Sequence, residues 1–345
     1  MTRPVSPLRT TDLVLNPAAR VLWRDVSSVQ LELGADGVVV EGIDPATVRA
    51  LVRRARPTPA ADADAPVLVR AFESGSLRAL VEAGYVWPAA RNSAAFPAPP
   101  TPRLAADVTS LAARHGRIAA GIVQARRHRS VAVIGNGRVA TLVASVLGAS
   151  GIGRVHFADS GDVHLHQTMP GGLPPLAEGL RFAAAAADEL RRAAPDVDTA
   201  APPMGIVPDL TVLALDGPID SERRDALHAR GCAHLSVRLG ASSGVVGPLV
   251  VPGRTGCLRC ADLHRRDRDP AWHALAVQLT VAPYRGTPSD VGAATVVAGV
   301  TALQALAFLD GEPTATVDGT IELHLPDWRL RRRSWSMHPD CGCGA

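Results

Sequence analysis

"VAVIGNGRVATLVASVLGASGIGRVHFAD", residues 131–159, holds a β-branched run, a glycine turn, a helix-like stretch and a second apolar run. Gly135-x-Gly137-x-x-Ala140 falls where the first run gives way to the helix. Glycine there permits a tight turn and lets a phosphate approach the backbone. The helix start behind it presents N–H groups and partial positive charge. Asp159 ends the second run, at the spacing of a carboxylate that bonds ribose hydroxyls. The stretch therefore reads as a βαβ unit that opens a nucleotide-binding sheet. The plainer reading is a tight βα turn with no ligand.

Outward from this unit, strands alternate with helices. Apolar runs predict strands over 130–135, 153–158, 209–215, 233–238 and 244–251. Helices are expected over 138–149, 174–193, 220–231 and 290–309, and residues 319–339 read as a terminal hairpin. Such alternation implies an α/β, Rossmann-like fold with a mostly parallel sheet covered on both faces. Residues 1–95 form a separate unit, with strand-like runs over 20–33 and 37–43 around the turn signal "GADG". A helix over 44–55 follows, with Asp44 as N-cap and Pro45 at its first position, then another over 73–86. This order suggests a small α+β, winged-helix-like domain. "FPAPPTPR" (96–103) reads as a stiff linker leading into a helix over 103–124, and the larger domain spans 125–345.

All 36 basic side chains are arginine, as a GC-rich genome would produce, and the net charge is only +3. That balance gives no support to nucleic-acid binding. The arginine runs at 124–129 and 329–335 read as solvated strand flanks. No window of about 18 uninterrupted apolar residues appears. The segment "MTRPVSPLRTTDLVLNP" lacks an apolar signal core. No membrane partner and a cytoplasmic location are therefore expected.

Four of the five cysteines fall in two tight pairs, Cys257-x-x-Cys260 and Cys341-x-Cys343. Four thiolates suit a closed, structural Zn²⁺ site, here pinning the C-terminal tail to the domain. His338 is a reserve ligand, and His264 reads as a satisfied neighbour of the metal shell. Cys232 reads as a buried small residue. Trp272, Trp328 and Trp335 read as packing anchors.

These motifs, in this order, resemble the ubiquitin-activating-enzyme-like superfamily of ThiF, MoeB and HesA adenylyltransferases. The matching segments are "GNGRVA", "GIGRVHFAD" ending on Asp159, "PDLTVLALDGPIDSERRDAL" with Asp216 and Arg224, and the two cysteine pairs. Residues 247–272 resemble an actinobacterial ThiF-like, cyclodehydratase-like branch of azole-peptide biosynthesis. Residues 15–43 resemble the leader-peptide-binding modules of those proteins. The resemblance implies ATP held by Gly135, Gly137, Ala140, Asp159 and Arg224, with Mg²⁺ near Asp216 as the catalytic residue. It also implies adenylation of a peptide or protein C-terminal carboxylate, a YcaO-type partner enzyme and a homodimer.

Two departures stand out. Active relatives follow the ribose aspartate with Asn-Leu-x-Arg-Gln, and here Pro170 occupies the arginine's place. Active relatives also set a lysine on the triphosphate, and this chain has no lysine. Such cations stabilise the departing pyrophosphate. Arg138 and Arg181 are the candidate substitutes. The reading from sequence is therefore a degenerate adenylation pocket on a peptide-binding scaffold. An active adenylyltransferase is the alternative, and a nicotinamide or flavin oxidoreductase is the second alternative.

Overall fold

The computed structural model describes residues 13–16, 18–31, 38–54, 68, 71, 75–88, 101–159, 161–215, 217, 219–281, 289–327 and 329–344. The chain divides into two compact units, Met1–Ala125 and Arg126–Ala345.

In the first unit, β1 (Leu13–Leu15) pairs antiparallel with β5 (Val86–Pro88). Strands β2 (Val21–Trp23), β3 (Ser28–Leu31) and β4 (Val38–Glu41) form a second, antiparallel sheet in the order β2-β3-β4. The run over 20–33 breaks into two strands because Asp25 turns the chain: its carboxylate accepts from the Ser27 N–H at 2.8 Å. Helix α1 (Pro45–Arg54) starts as expected, with Asp44 accepting from the Ala46 N–H at 3.1 Å. Helix α2 is Ser76–Glu82. Leu13, Leu31, Ile43, Leu51, Leu77 and Leu80 close the core of this small sheet domain. The helix expected over 103–124 is broken: α3 (Ala105–His115) stops where Gly116 takes φ +56°, and α4 (Ala119–Ala125) follows.

The second unit carries a seven-stranded sheet in the order β12-β11-β10-β9-β8-β6-β7. Its strands are β6 (Ser130–Ile134), β7 (Arg154–Phe157), β8 (Leu210–Ala214), β9 (His234–Leu239), β10 (Ser243–Val250), β11 (Gly319–His324) and β12 (Leu330–Ser334). Strands β7, β6, β8 and β9 run parallel. Strands β10, β11 and β12 extend the sheet as an antiparallel meander. Strand β10 follows β9 through the short turn at 240–242 with no helix between them, so it returns antiparallel. The chain steps from β6 to β7 on one side and returns to β8 on the other. The carboxyl ends of β6 and β8 therefore flank a topological switch point, where open α/β sheets hold ligands.

Helices α5 (Arg138–Ala149), α6 (Phe182–Ala193) and α10 (Val291–Leu309) cover one face; α7 (Ser221–Ala229), α8 (Leu258–Arg268) and α9 (Trp272–Val281) are the remaining helices. The strand period of two sorts the side chains. Val131, Val133, Val212, Leu235 and Val237 meet α5 and α10, while Ile134, Leu213 and Val250 meet Leu227, Leu258 and the cysteines. Helix α10 is long and apolar enough to cross a membrane by length and composition, but Ala294, Val297, Ala298, Ala302 and Ala305 lie in the core. Arg126, which opens this unit, is buried against Asp310 just after α10, at 3.0 and 2.6 Å, and also donates to Ser150 O.

Candidate functional site

The glycine turn follows from close packing of two strands. Gly135 has φ +130°, and a Cβ built there would lie 1.9 Å from Ala214 O, so no side chain fits. Gly137 then takes the N-cap position of α5 without a side-chain cap. The first N–H groups of α5 are left for water or a ligand. Ala140 is buried in the first turn. The Ala158 N–H donates to Val133 O at 3.0 Å, which carries the β6–β7 pairing up to Asp159 beside the turn. Gly135, Gly137, Ala140 and Asp159 thus gather at the carboxyl ends of neighbouring strands. Asp216 lies outside the described residues.

Arg138 is the first residue of α5. Its Nε donates to Thr168 O at 3.1 Å and its Nη1 to Ser289 O at 2.5 Å. The loop it reaches rests on the helix: a Cβ at Gly171 would lie 3.1 Å from Leu142 Cδ1, and one at Gly172 3.1 Å from Thr141 Oγ1. Arg181 pairs with Asp162 at 3.2 Å, both well exposed. Arg224 sits on α7. Its Nε donates to Asp225 at 2.8 Å, and this bond holds the Asp225 carboxyl below its ordinary range. Arg224 also lies 3.9 Å from Asp262 and lines a cavity of about 300 Å³ with Cys257, Cys341 and Cys343. The structure therefore sets Arg224 beside the cysteines.

The four cysteines converge although the pairs lie more than eighty residues apart. Their Sγ atoms all fall within 4.8 Å of one another. The Cys257–Cys260, Cys257–Cys341 and Cys260–Cys343 separations are 3.8, 3.6 and 3.4 Å. A tetrahedral zinc with bonds of about 2.3 Å needs sulfur–sulfur edges of about 3.8 Å. The donor set and its spacing therefore fit a metal ion. Burial pushes the Cys257 thiol well above its ordinary value, so a cation is the natural way to remove its proton.

The surrounding histidines brace this cluster. His338 is buried; its Nδ1 accepts from the Asp340 N–H at 3.1 Å and its Nε2 lies 2.7 Å from Asp267. That pattern puts the proton on Nε2 and occupies both ring nitrogens, so His338 is not held in reserve as a ligand. The same hydrogen bond leads the groups that lower the Asp267 carboxyl. His264 Nε2 donates to Ser336 O at 3.0 Å. Cys232 packs against Thr211 Oγ1 at 3.2 Å, and burial raises its thiol. Trp335 donates to Thr320 Oγ1 and packs against Arg268, while Arg265 lies over Trp272; Trp328 lies outside the described residues.

One polar group was not singled out from sequence. Arg238 lines a cleft on the cysteine side of the sheet with Ser236, Asp262 and Arg265. Burial, with Arg265 nearby, lowers its guanidinium to about 10. Its signal was present in "HLSVRL": His234, Ser236 and Arg238 alternate with Leu235, Val237 and Leu239.

Residues 116–344 match the model of the ThiF family. No curated protein matches the chain. Among solved structures, E. coli MccB crystallised with MccA is similar at TM-score 0.71 and 17% identity, covering 97% of this chain and 100% of that one. E. coli MccB with ATP gives 0.67 and 15%, covering 96% and 99%. PaaA gives 0.56 and 18%, covering 76% and 92%. Likeness at these identities establishes the fold.

Proposed function

Because the chain belongs to the ThiF family, we propose that it is a peptide-modifying enzyme that binds an extended peptide and activates its C-terminal carboxylate with ATP. One observation carries this reading: likeness to MccB runs over 97% of the chain, the small N-terminal unit included. In this reading the β2-β3-β4 sheet takes the peptide as an added edge strand. Trp23 and Val39, about half exposed on that sheet, and Val26 in its turn offer apolar contacts. The glycine turn admits the phosphates because Gly135 and Gly137 carry no side chains. The N–H groups of α5 stabilise their charge. Asp159 bonds the ribose and Asp216 keeps the role the family resemblance implies, whereas Arg224, bonded to Asp225 and lining the cavity beside the cysteines, is left out of the ATP site. Mg²⁺, when bound near Asp216, offsets phosphate charge. A carboxylate oxygen attacks the α-phosphorus and pyrophosphate leaves with the bridging electron pair.

The four cysteines hold a structural Zn²⁺ in this proposal, which suits a reducing, cytoplasmic compartment. The chain acts as a homodimer. A second reading, a degenerate pocket that presents a peptide to a YcaO-type partner, is favoured by the absent lysine and by Pro170. A nicotinamide or flavin role has support only from the glycine turn and Asp159.

ATP–pyrophosphate exchange with a supplied peptide separates the first two readings. Exchange that falls to background in Asp216→Ala supports adenylation. No exchange, with peptide affinity intact by fluorescence anisotropy, supports the scaffold.

A further inference from the structure

We infer that the cleft around Arg238 is a carboxylate site, separate from the reacting end of the peptide, that selects substrates with an acidic side chain close to their C-terminus. The inference rests on the peptide-binding reading above. Arg238 is half-buried near the end of β9 and lines the cleft, yet it makes no hydrogen bond or ion pair among the described residues. The charged groups that act on it are Arg265, Asp262 and Glu322. Both acids are already engaged. Asp262 pairs with Arg265 at 2.9 Å and lies 3.9 Å from Arg224, and Glu322 pairs with Arg333 at 3.2 Å. The cleft therefore keeps an uncompensated positive charge, partly withdrawn from water, which an anion would offset. A guanidinium offers its N–H donors in a planar fork that matches a carboxylate. Ser236, two residues earlier on the same face of β9, adds a hydroxyl donor.

Size and position narrow the ligand. The cleft holds about 40 Å³, room for a few water molecules or one carboxyl-tipped side chain, and too little for a nucleotide. Leu213, Ile219 and Leu258 wall it for a methylene stem. A basic side chain would meet Arg238 and Arg265 together and be repelled. The cleft reaches Leu215 and Gly217, on either side of Asp216. Val237 pairs with Ala214, so Arg238 stands level with Leu215 at the carboxyl end of β8. The order β9-β8-β6 sets the glycine turn two strands away, about 10 Å. An extended peptide covers about 3.3–3.6 Å per residue, so one whose C-terminal carboxylate sits at that turn passes Arg238 within about three residues. The reacting carboxylate stays at the turn. Arg238 takes a second one and neither gains nor loses a proton.

The test is selection by the full chain, without nucleotide, from heptapeptides with free C-termini randomised at their last three positions, with retained peptides read by mass spectrometry. Wild type should enrich Asp and Glu by about 10-fold at one of those positions, from the strength of hydrogen bonds to charged groups. Arg238→Gln should abolish the preference without lowering the thermal midpoint, since it removes a cation that has no partner. Arg238→Glu should turn the preference toward Lys and Arg. If Arg238→Gln fails to fold, Arg238→Lys carries the test: a weaker acid preference supports the site. Wild type that retains no peptide, or retains peptides without acid enrichment, overturns the inference, and so does equal enrichment in Arg238→Gln. Acid preference without pyrophosphate exchange upholds the site and sinks the ATP reading. Exchange without acid preference does the reverse.

Discussion

The two faces of the large sheet are built differently. On the face toward α5 and α10, apolar side chains from every parallel strand interlock with alanine and valine on the helices. On the other face a smaller cluster of Ile134, Leu213, Val250 and Leu258 is finished by thiols, and Ser236 and Arg238 line an open cleft. The first face is held by many small contacts. The second is closed by four sulfurs, and in our proposal by the ion between them. Cohesion that is distributed survives local damage, whereas cohesion concentrated at one point fails with it.

Removing the metal tests this contrast most severely. Chelation, or Cys260→Ser, should release the ion and expose α8, with a loss that can approach the roughly 10 kcal/mol scale of structural zinc. Metal analysis and hydrogen exchange check it: amides of α8 should lose protection while α5 and α10 keep theirs. Equal loss on both faces would erase the contrast. Next in size is Asp310→Ala, which strands the buried Arg126 guanidinium. It should cost about 3–5 kcal/mol in chemical denaturation with metal content unchanged. Leu147→Ala, at a fully buried position on α5, should cost about 3 kcal/mol and also leave the metal in place. Metal loss in either variant would show that the faces are coupled.

The smallest effect concerns His156 on β7. Burial, then Arg154, hold its imidazole below the ordinary value, and Asp198 only partly opposes them. The unfolded chain then takes up a proton that the folded chain resists. This group's contribution is full above about pH 6.5 and is lost as pH falls below it. His156→Gln should flatten the pH dependence of the thermal midpoint on that acid side; an unchanged slope would place the effect elsewhere.

Strands β6, β8 and β9 were legible because buried parallel strands are uninterrupted apolar runs with few other ways to hide. Helices α5 and α10 were legible to within a residue, since glycine or aspartate marks their starts. Strands β1 and β5 were not, because three residues pairing across seventy leave no local trace. Helix α8, "LRCADLHRRDR", has too few apolar residues to show a period. The helix expected over 174–193 begins only at Phe182: Pro174 and Pro175 support a separate short turn, and Gly179 reverses the chain. At the site, the glycine turn and the cysteines could be read because each is a local pattern. The linkage of Arg138 to Thr168 and Ser289 could not, since it depends on which loops the fold stacks together.

Cys257 and Cys341 stand 84 residues apart, and the chain between them supplies β11 and β12. Strand β11 must find β10 across most of that interval, with Val246 opposite Ile321. Searches over such distances are slow because loop-closure entropy is lost before any contact forms. An ion that captures the sulfurs early would tie the two ends of that search together, so refolding should run faster with zinc present, quite apart from what zinc adds to the finished molecule.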